Sequence, residues 1–324
     1  MPSGGHDLRG GVRVFSERRH GHLAEDPSRT NLCGDSPSET ATVYCCDRLP
    51  PTMRVLVTGA AGGIGGGVAR TLSAAGHAVT GVDLDASGLD ELPDGIETRA
   101  LDLRDGDAVE AYLADRPFDR VVSCVGGYEI AAIEDTSVES FRCQLDTNLT
   151  AVHTVVRATL PSIRERGGRI VVVGSMLGSV PLPYHGAYSA AKAGLRGYVD
   201  ALRRETEPRG ATVALVEPGP VRTGFNERAA AEARASAERD PSGPYADDYR
   251  AFEGYAPAAS DVESVVECVV VAVTSDRPRT RYRVSRRAKW LPRIGALLPD
   301  RLHDRLIRAG LPGGLLGRLI DRRG

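Results

Sequence analysis

The sequence has little net charge, few cysteines and no long apolar run, and each shortage narrows what it can be. A formal charge of -2 at pH 7 leaves no global basic field to draw the chain to nucleic acid, so no such partner is expected. The longest apolar candidate, VVECVVVAV at 265–273, is too short to cross a bilayer and contains Glu267. No apolar signal-peptide core stands near Met1. Six cysteines at 33, 45, 46, 124, 143 and 268 form no CxxC pair, and no histidine cluster has metal-ligand spacing. Thiols in a reducing cytoplasm are therefore expected, rather than a disulfide framework or a metal centre.

What remains is a chain of 324 residues, 41% hydrophobic and 26% charged, which suits one main core with extensions. Residues 1–52 are rich in Gly, Arg, Ser, Asp and Pro without helical or strand periodicity, and are expected to be a disordered extension. Met53 then opens MRVLVTGAAGGIG, an apolar strand running into glycines, and is expected to be the true start; a functional tail is the alternative. Short β-branched runs follow at 54–58, 78–83, 96–101, 119–125, 169–174 and 211–217, separated by helix-like stretches. This alternation predicts right-handed βαβ crossovers and an α/β, doubly wound (Rossmann) parallel sheet of about seven strands, with RYRVS near 281–285 closing it after a helix at about 261–274. No internal repeat is visible.

TGAAGGIG, Thr58 to Gly65, stands between the first strand and a helix. Glycines there let the backbone approach a pyrophosphate held on helix N-terminal amides, or serve packing alone. Asp83 ends the second strand about twenty residues beyond the turn, where a carboxylate accepts both ribose hydroxyls of an adenosine and repels a ribose phosphate. With no Arg or Lys in the turn or directly after Asp83, NAD is favoured over NADP. Asp102, in ALDLRD, either hydrogen-bonds an adenine amine or caps the following helix.

In AYSAAKAGL, Tyr188 and Lys192 stand at i and i+4, on one face of a helix and within mutual reach. An ammonium beside a phenol favours the phenolate, as does the positive charge of an oxidised nicotinamide, and makes the phenol a general base. Ser175 ends RIVVVGS thirteen residues earlier, at the sheet's C-terminal edge. Singly, these residues also read as a turn serine and an exposed helix pair.

Taken in order, the glycine pattern, Asp83, TNLTAV, Ser175, the Tyr188 and Lys192 pair and PGPVRT resemble the short-chain dehydrogenase/reductase family over residues 53 to about 285. The resemblance implies catalytic Asn148, Ser175, Tyr188 and Lys192, with Ser175 holding the substrate oxygen and Asn148 bracing a water between Lys192 and solvent. It implies a cofactor set of Thr58, Gly59, Gly63, Ile64, Gly65, Asp83, Asp102, Leu103, Gly126, Tyr188 and Lys192. Pro218, Gly219, Val221 and Thr223 would border the nicotinamide, with Thr223 near its carboxamide. A homodimer or homotetramer is implied too. The chain departs from the family at SCVG, Ser123 to Gly126, where Asn-Asn-Ala-Gly is usual; Gly126 is kept, but the paired amides implied to brace the adenosine ribose are missing. Cys124 reads as a small packed residue. His185 suggests a triad base for Ser175, yet no Gly-x-Ser-x-Gly elbow surrounds that serine.

The expected activity is hydride transfer between a secondary alcohol or ketone and NAD. The alternatives are a 3-oxoacyl-thioester reductase and a non-catalytic NAD-binding sensor or scaffold. Residues 224–260 read as an active-site lid carrying Phe225, Tyr245, Tyr249, Phe252 and Tyr255. Those aromatics, with Leu182, Tyr184 and an apolar tail that weakly resembles hydroxysteroid and retinol dehydrogenases, point to a hydrophobic steroid-, retinoid- or lipid-like substrate. From Arg286 onward, ten Arg or Lys stand against three Asp with leucines at helical spacing, which predicts two or three short amphipathic helices. That tail either touches an anionic membrane surface or folds over the lid or a subunit.

Overall fold

Alternation of side chains along each strand sets the layers of this protein. In the computed structural model, which describes residues 52–222, 224–252 and 259–310, β1 (Arg54–Thr58) sends Val55 and Val57 into one apolar cluster and Leu56 into another. Successive side chains of a strand point to opposite faces, so a run such as RVLVT is apolar throughout when both faces are covered. The described residues form part of one compact unit. The disorder expected of 1–52 falls, but for Thr52, outside the described residues.

The elements after β1 are α1 (Gly63–Ala74), β2 (Ala78–Asp83), α2 (Ala86–Leu89), β3 (Glu97–Ala100), α3 (Gly106–Leu113), β4 (Arg120–Ser123) and α4 (Val138–Leu145). A five-residue π-helical segment, Asp146–Thr150, joins α4 to α5 (Ala151–Glu165), followed by β5 (Arg169–Val173), α6 (Gly186–Thr206) and β6 (Thr212–Glu217). Then come α7 (Gly224–Arg239), α8 (Ala246–Ala251), α9 (Val262–Thr274), β7 (Arg281–Arg283), α10 (Arg286–Gly295) and α11 (Asp300–Ala309). All seven strands are parallel in the order β3-β2-β1-β4-β5-β6-β7, a Rossmann-like sheet as the alternation predicts.

The two clusters cover the two faces. One joins α1 and α9 to the sheet through Val68, Leu72, Val265 and Val269; the other joins α3, α5 and α6 through Val109, Val155, Leu195 and Val199. Fully buried side chains such as Leu56, Leu72 and Ile170 each contribute about 2 kcal/mol of burial. The apolar run at 265–273 is thus a core helix. Its Val266 lies so near α1 that a Cβ on Gly67 would come within 2.6 Å of Cγ2, and glycine is what lets the two helices close.

Strand order reverses between β1 and β4, which opens a crevice at their C-terminal ends. The end of β6 is fixed beside it by a buried carboxylate: Glu217 accepts from Arg283 Nε at 3.1 Å and pairs with Arg281 at 3.5 Å, while Arg281 also reaches Asp200 on α6. Between β6 and α9, α7 buries Ala229, Ala233 and Ala237, one per turn, in a cluster with Ile130 and Ala132 of the loop after β4. Tyr245 donates to Glu134, and the Tyr249 hydroxyl accepts from Ala132 N and donates to Asp135. These contacts pin the segment of α7 and α8 to the loop after β4. Residues 253–258, Tyr255 among them, and the side chain of Phe225 lie outside the described residues.

Candidate active site

The glycine turn is built by close approach. Gly59 has φ +71°, and a Cβ there would meet the backbone of Cys124 at 2.7 Å; a Cβ on Gly65 would come within 2.0 Å of the Gly59 carbonyl oxygen. Only glycine fits at either position. No side chain caps α1 at Gly62, so the amides of its first turn, from Gly63 through Ile64 to Gly65, keep their hydrogen-bonding capacity at the positive end of a twelve-residue helix. Thr58 is fully buried and donates to Ser123 Oγ at 3.4 Å, tying β1 to β4, and Ile64 packs against the core.

Asp83 stands beside the turn. Its Oδ2 accepts from Ala61 N at 3.0 Å and its Oδ1 from Asp85 N at 3.1 Å, which fixes the carboxylate in place. Asp102 does not cap α3: Asp105 does, accepting from Ala108 N at 3.0 Å. Asp102 is instead held by Arg104, Nη2 to Oδ2 at 2.7 Å, and that bond keeps its carboxyl below the usual carboxylate range. Leu103 turns its side chain into the core, so only its backbone can face a ligand.

At the other end of the crevice, β5 delivers Ser175 and α6 delivers Tyr188 and Lys192. Tyr188 and Lys192 are both buried, and Lys192 Nζ lies over the phenol ring, 5.6 Å from its centroid. The Ser175 hydroxyl hydrogen-bonds Tyr188 and accepts from Leu177 N at 3.1 Å. Asn148 sits fully buried in the π-helical segment, a break in helical register that recurs at functional sites. Its Nδ2 donates to the Gly127 carbonyl at 2.9 Å and to the Gln144 carbonyl at 3.0 Å, and its Oδ1 accepts from Gly127 N at 3.3 Å. A Cβ on Gly126 would lie 3.0 Å from Asn148 Oδ1 and 3.4 Å from Lys192 Nζ, so these side chains converge on Gly126.

Without cofactor, burial dominates the electrostatics. It pushes the Tyr188 phenol up to about 12 against the opposing Ser175 hydrogen bond. It brings the Lys192 ammonium down to about 8, with Cys124 acting the other way. In the cofactor-free pair, burial thus outweighs the help expected from the ammonium. The Cys124 thiol is likewise raised to about 12 by burial, the behaviour of a packed residue. His185 forms no triad with Ser175: its Nδ1 lies 2.6 Å from the Pro183 carbonyl and its ring packs against Tyr128 and Phe252.

Near the end of β6, the Pro218 carbonyl accepts from Met176 N at 2.9 Å, and Val221 is buried. A Cβ on Gly219 would fall 2.3 Å from Ser285 Oγ. Thr223 lies outside the described residues. Sequence reasoning passed over Tyr128, which meets Tyr188 edge-on with centroids 4.8 Å apart; its place two residues after Gly126 was the available signal. It also missed that α10 returns to the site. Ala288 is buried in a cluster with Met176, Leu177 and Tyr188, and Leu182 and Leu291 pack against it. The lid aromatics, expected to face substrate, are taken up in packing with Tyr184: the rings of Tyr245, Tyr249 and Phe252 lie 6.2, 6.2 and 5.6 Å from it.

Residues 53–234 match the family described as short chain dehydrogenase. Human 17-beta-hydroxysteroid dehydrogenase type 6 is 30% identical over 281 residues, covering 80% of this chain and 88% of that protein. Mouse retinol dehydrogenase 7 is 30% identical over 279 residues, covering 78% and 87%. A serine dehydrogenase solved in closed form with NADP+ has a TM-score of 0.61 at 28% identity, over 71% of this chain and 94% of that one. The chain belongs to the short-chain dehydrogenase family, oxidoreductases acting on CH–OH groups with a nicotinamide cofactor. The glycine cradle and the open first turn of α1 fit such a dinucleotide.

The buried lysine has a measurable consequence. Its folded value of about 8 lies below its ordinary 10.5, so the unfolded chain binds more protons between those pH values and stability rises with pH there. Chemical denaturation of the ligand-free protein and of Lys192→Met is expected to show the wild type gaining on the variant from pH 8 to about 10. A constant difference would contradict the assignment.

Proposed function

We propose that the protein is an NAD-dependent dehydrogenase of hydrophobic secondary alcohols, working through Tyr188 as general acid/base. The observation that carries this reading is the meeting of half-buried Ser175 with the buried side chains of Tyr188 and Lys192. When bound, the cofactor supplies the hydride acceptor or donor and, in its oxidised form, a positive charge. Tyr188 Oη takes the proton of the substrate hydroxyl during oxidation and returns it during reduction. Ser175 hydrogen-bonds the substrate oxygen, so the alcohol and the ketone are held in one place. Lys192 stabilises the phenolate, and Asn148 orders the path from Lys192 to solvent past Gly126.

Thr58, Gly59, Gly63, Ile64 and Gly65 would hold the pyrophosphate end through backbone and packing. Asp83 supports NAD, because both its oxygens are oriented by backbone amides beside the turn and would face a 2′-phosphate with like charge. The NADP+-bound serine dehydrogenase is a counter-example among its relatives. Asp102, Leu103 and Gly126 complete the adenosine side, and Pro218, Gly219, Val221 and Thr223 the nicotinamide side. The apolar substrate class rests on the wall around Tyr188, made of Met176, Leu177, Leu182 and Leu291 with the Tyr128 ring, and on relatives named for a hydroxysteroid and for retinol.

Tyr188→Phe is expected to lose about a thousandfold in turnover of any alcohol the wild type oxidises, with NAD affinity by calorimetry unchanged. Full activity in that variant would end the proposal. Asp83→Ser is expected to move the ratio of kcat/KM with NAD to that with NADP by at least about tenfold toward NADP, since it removes the repulsive carboxylate. An unmoved ratio would remove Asp83 from cofactor choice.

A further inference from the structure

The last two described helices carry an apolar face that nothing in the described fold covers. On α10, Trp290 and Ile294 lie one turn apart, and Leu297 follows on the same side; Trp290 is 57% exposed and Leu297 85%. On α11, Leu302 and Leu306 repeat the pattern, both exposed. These five are half of the large exposed hydrophobics among the described residues, gathered within seventeen positions. The opposite side of α10 is occupied by Ala288 and Leu291 at the Tyr188 cluster, so the outward direction of Trp290 is fixed by the core. A Cβ on Gly295 would lie 2.9 Å from His303 Nε2, which shows α11 packed against the end of α10.

Charge on this face has one sign. Arg293 stacks over Trp290, its guanidinium carbon 5.5 Å from the ring. Helical spacing puts Arg301, Arg305 and Arg308 along one flank of the Leu302 and Leu306 row, and Asp300 and Asp304 on the far side. From 286 to 310 there are seven Arg or Lys and two Asp in a chain whose overall charge is negative. An apolar row edged by arginines matches a surface that is apolar below and anionic above: leucines enter, tryptophan sits at the boundary, and guanidinium groups remain with the headgroups. No described helix is long and apolar enough to cross a membrane, so the helices would lie in the interface.

We propose that α10 and α11 form a docking surface for an anionic lipid bilayer, with Trp290, Leu297, Leu302 and Leu306 inserted and Arg293, Arg301 and Arg305 on the headgroups. The proposal does not depend on the redox reading.

The chain's single tryptophan reports on it directly. Full-length protein is mixed with phosphatidylcholine vesicles containing about one-third phosphatidylserine, and with phosphatidylcholine alone. The expected result is a blue shift of tryptophan emission and co-sedimentation with the anionic vesicles, both weakened in about 0.5 M salt. Leu302→Glu/Leu306→Glu and Arg301→Glu/Arg305→Glu are each expected to lower partitioning at least about tenfold while keeping the wild-type denaturation midpoint. Unchanged emission and pelleting, or variants that bind like wild type, would overturn the proposal. So would an emission shift that follows protein concentration without lipid, which would assign the face to a second copy of the chain.

Discussion

A phenol and an amine buried one helical turn apart set the terms for the rest of this molecule. Removing both from water favours their neutral forms, and in the cofactor-free protein burial leaves the phenol at about 12 and the amine at about 8. The same dry surroundings strengthen any charge brought next to them. In the proposed oxidation a cation beside the phenol would favour its ionised form, and the crevice between β1 and β4 is where the fold would bring one.

The sheet supplies that geometry. Parallel strands all end on one side, so Gly59, Asp83, Gly126, Ser175 and Gly219 stand at or just beyond the ends of five different strands yet border one crevice. Core packing on both faces keeps those ends in register. The π-helical segment Asp146–Thr150 carries Asn148, which lies beside Gly126 together with Lys192.

Much of this was legible in the sequence because it rests on local rules. Seven strands were readable from β-branched runs between turn signals, and the i, i+4 spacing of Tyr188 and Lys192 placed both on one helical face. What escaped depended on distant contacts. Asp102 stayed open between a helix cap and an adenine contact; in the structure Asp105, three residues later, is the cap and Arg104 holds Asp102. The lid aromatics look like substrate contacts in one dimension, whereas Tyr184, Glu134 and Asp135 claim them in three. The return of α10 to Tyr188 carries no local signal, since small Ala288 is what allows it. Burial of the pair was hidden for a similar reason: spacing shows the ammonium but not the water excluded around it.

The direct measurement is an ultraviolet titration of the Tyr188 phenol, taken as the difference between wild type and Tyr188→Phe, with and without saturating NAD. An ionisation near pH 12 in the free protein that falls by several units when NAD binds is the expected result. A phenol that titrates at the same pH in both states would contradict the account at its centre.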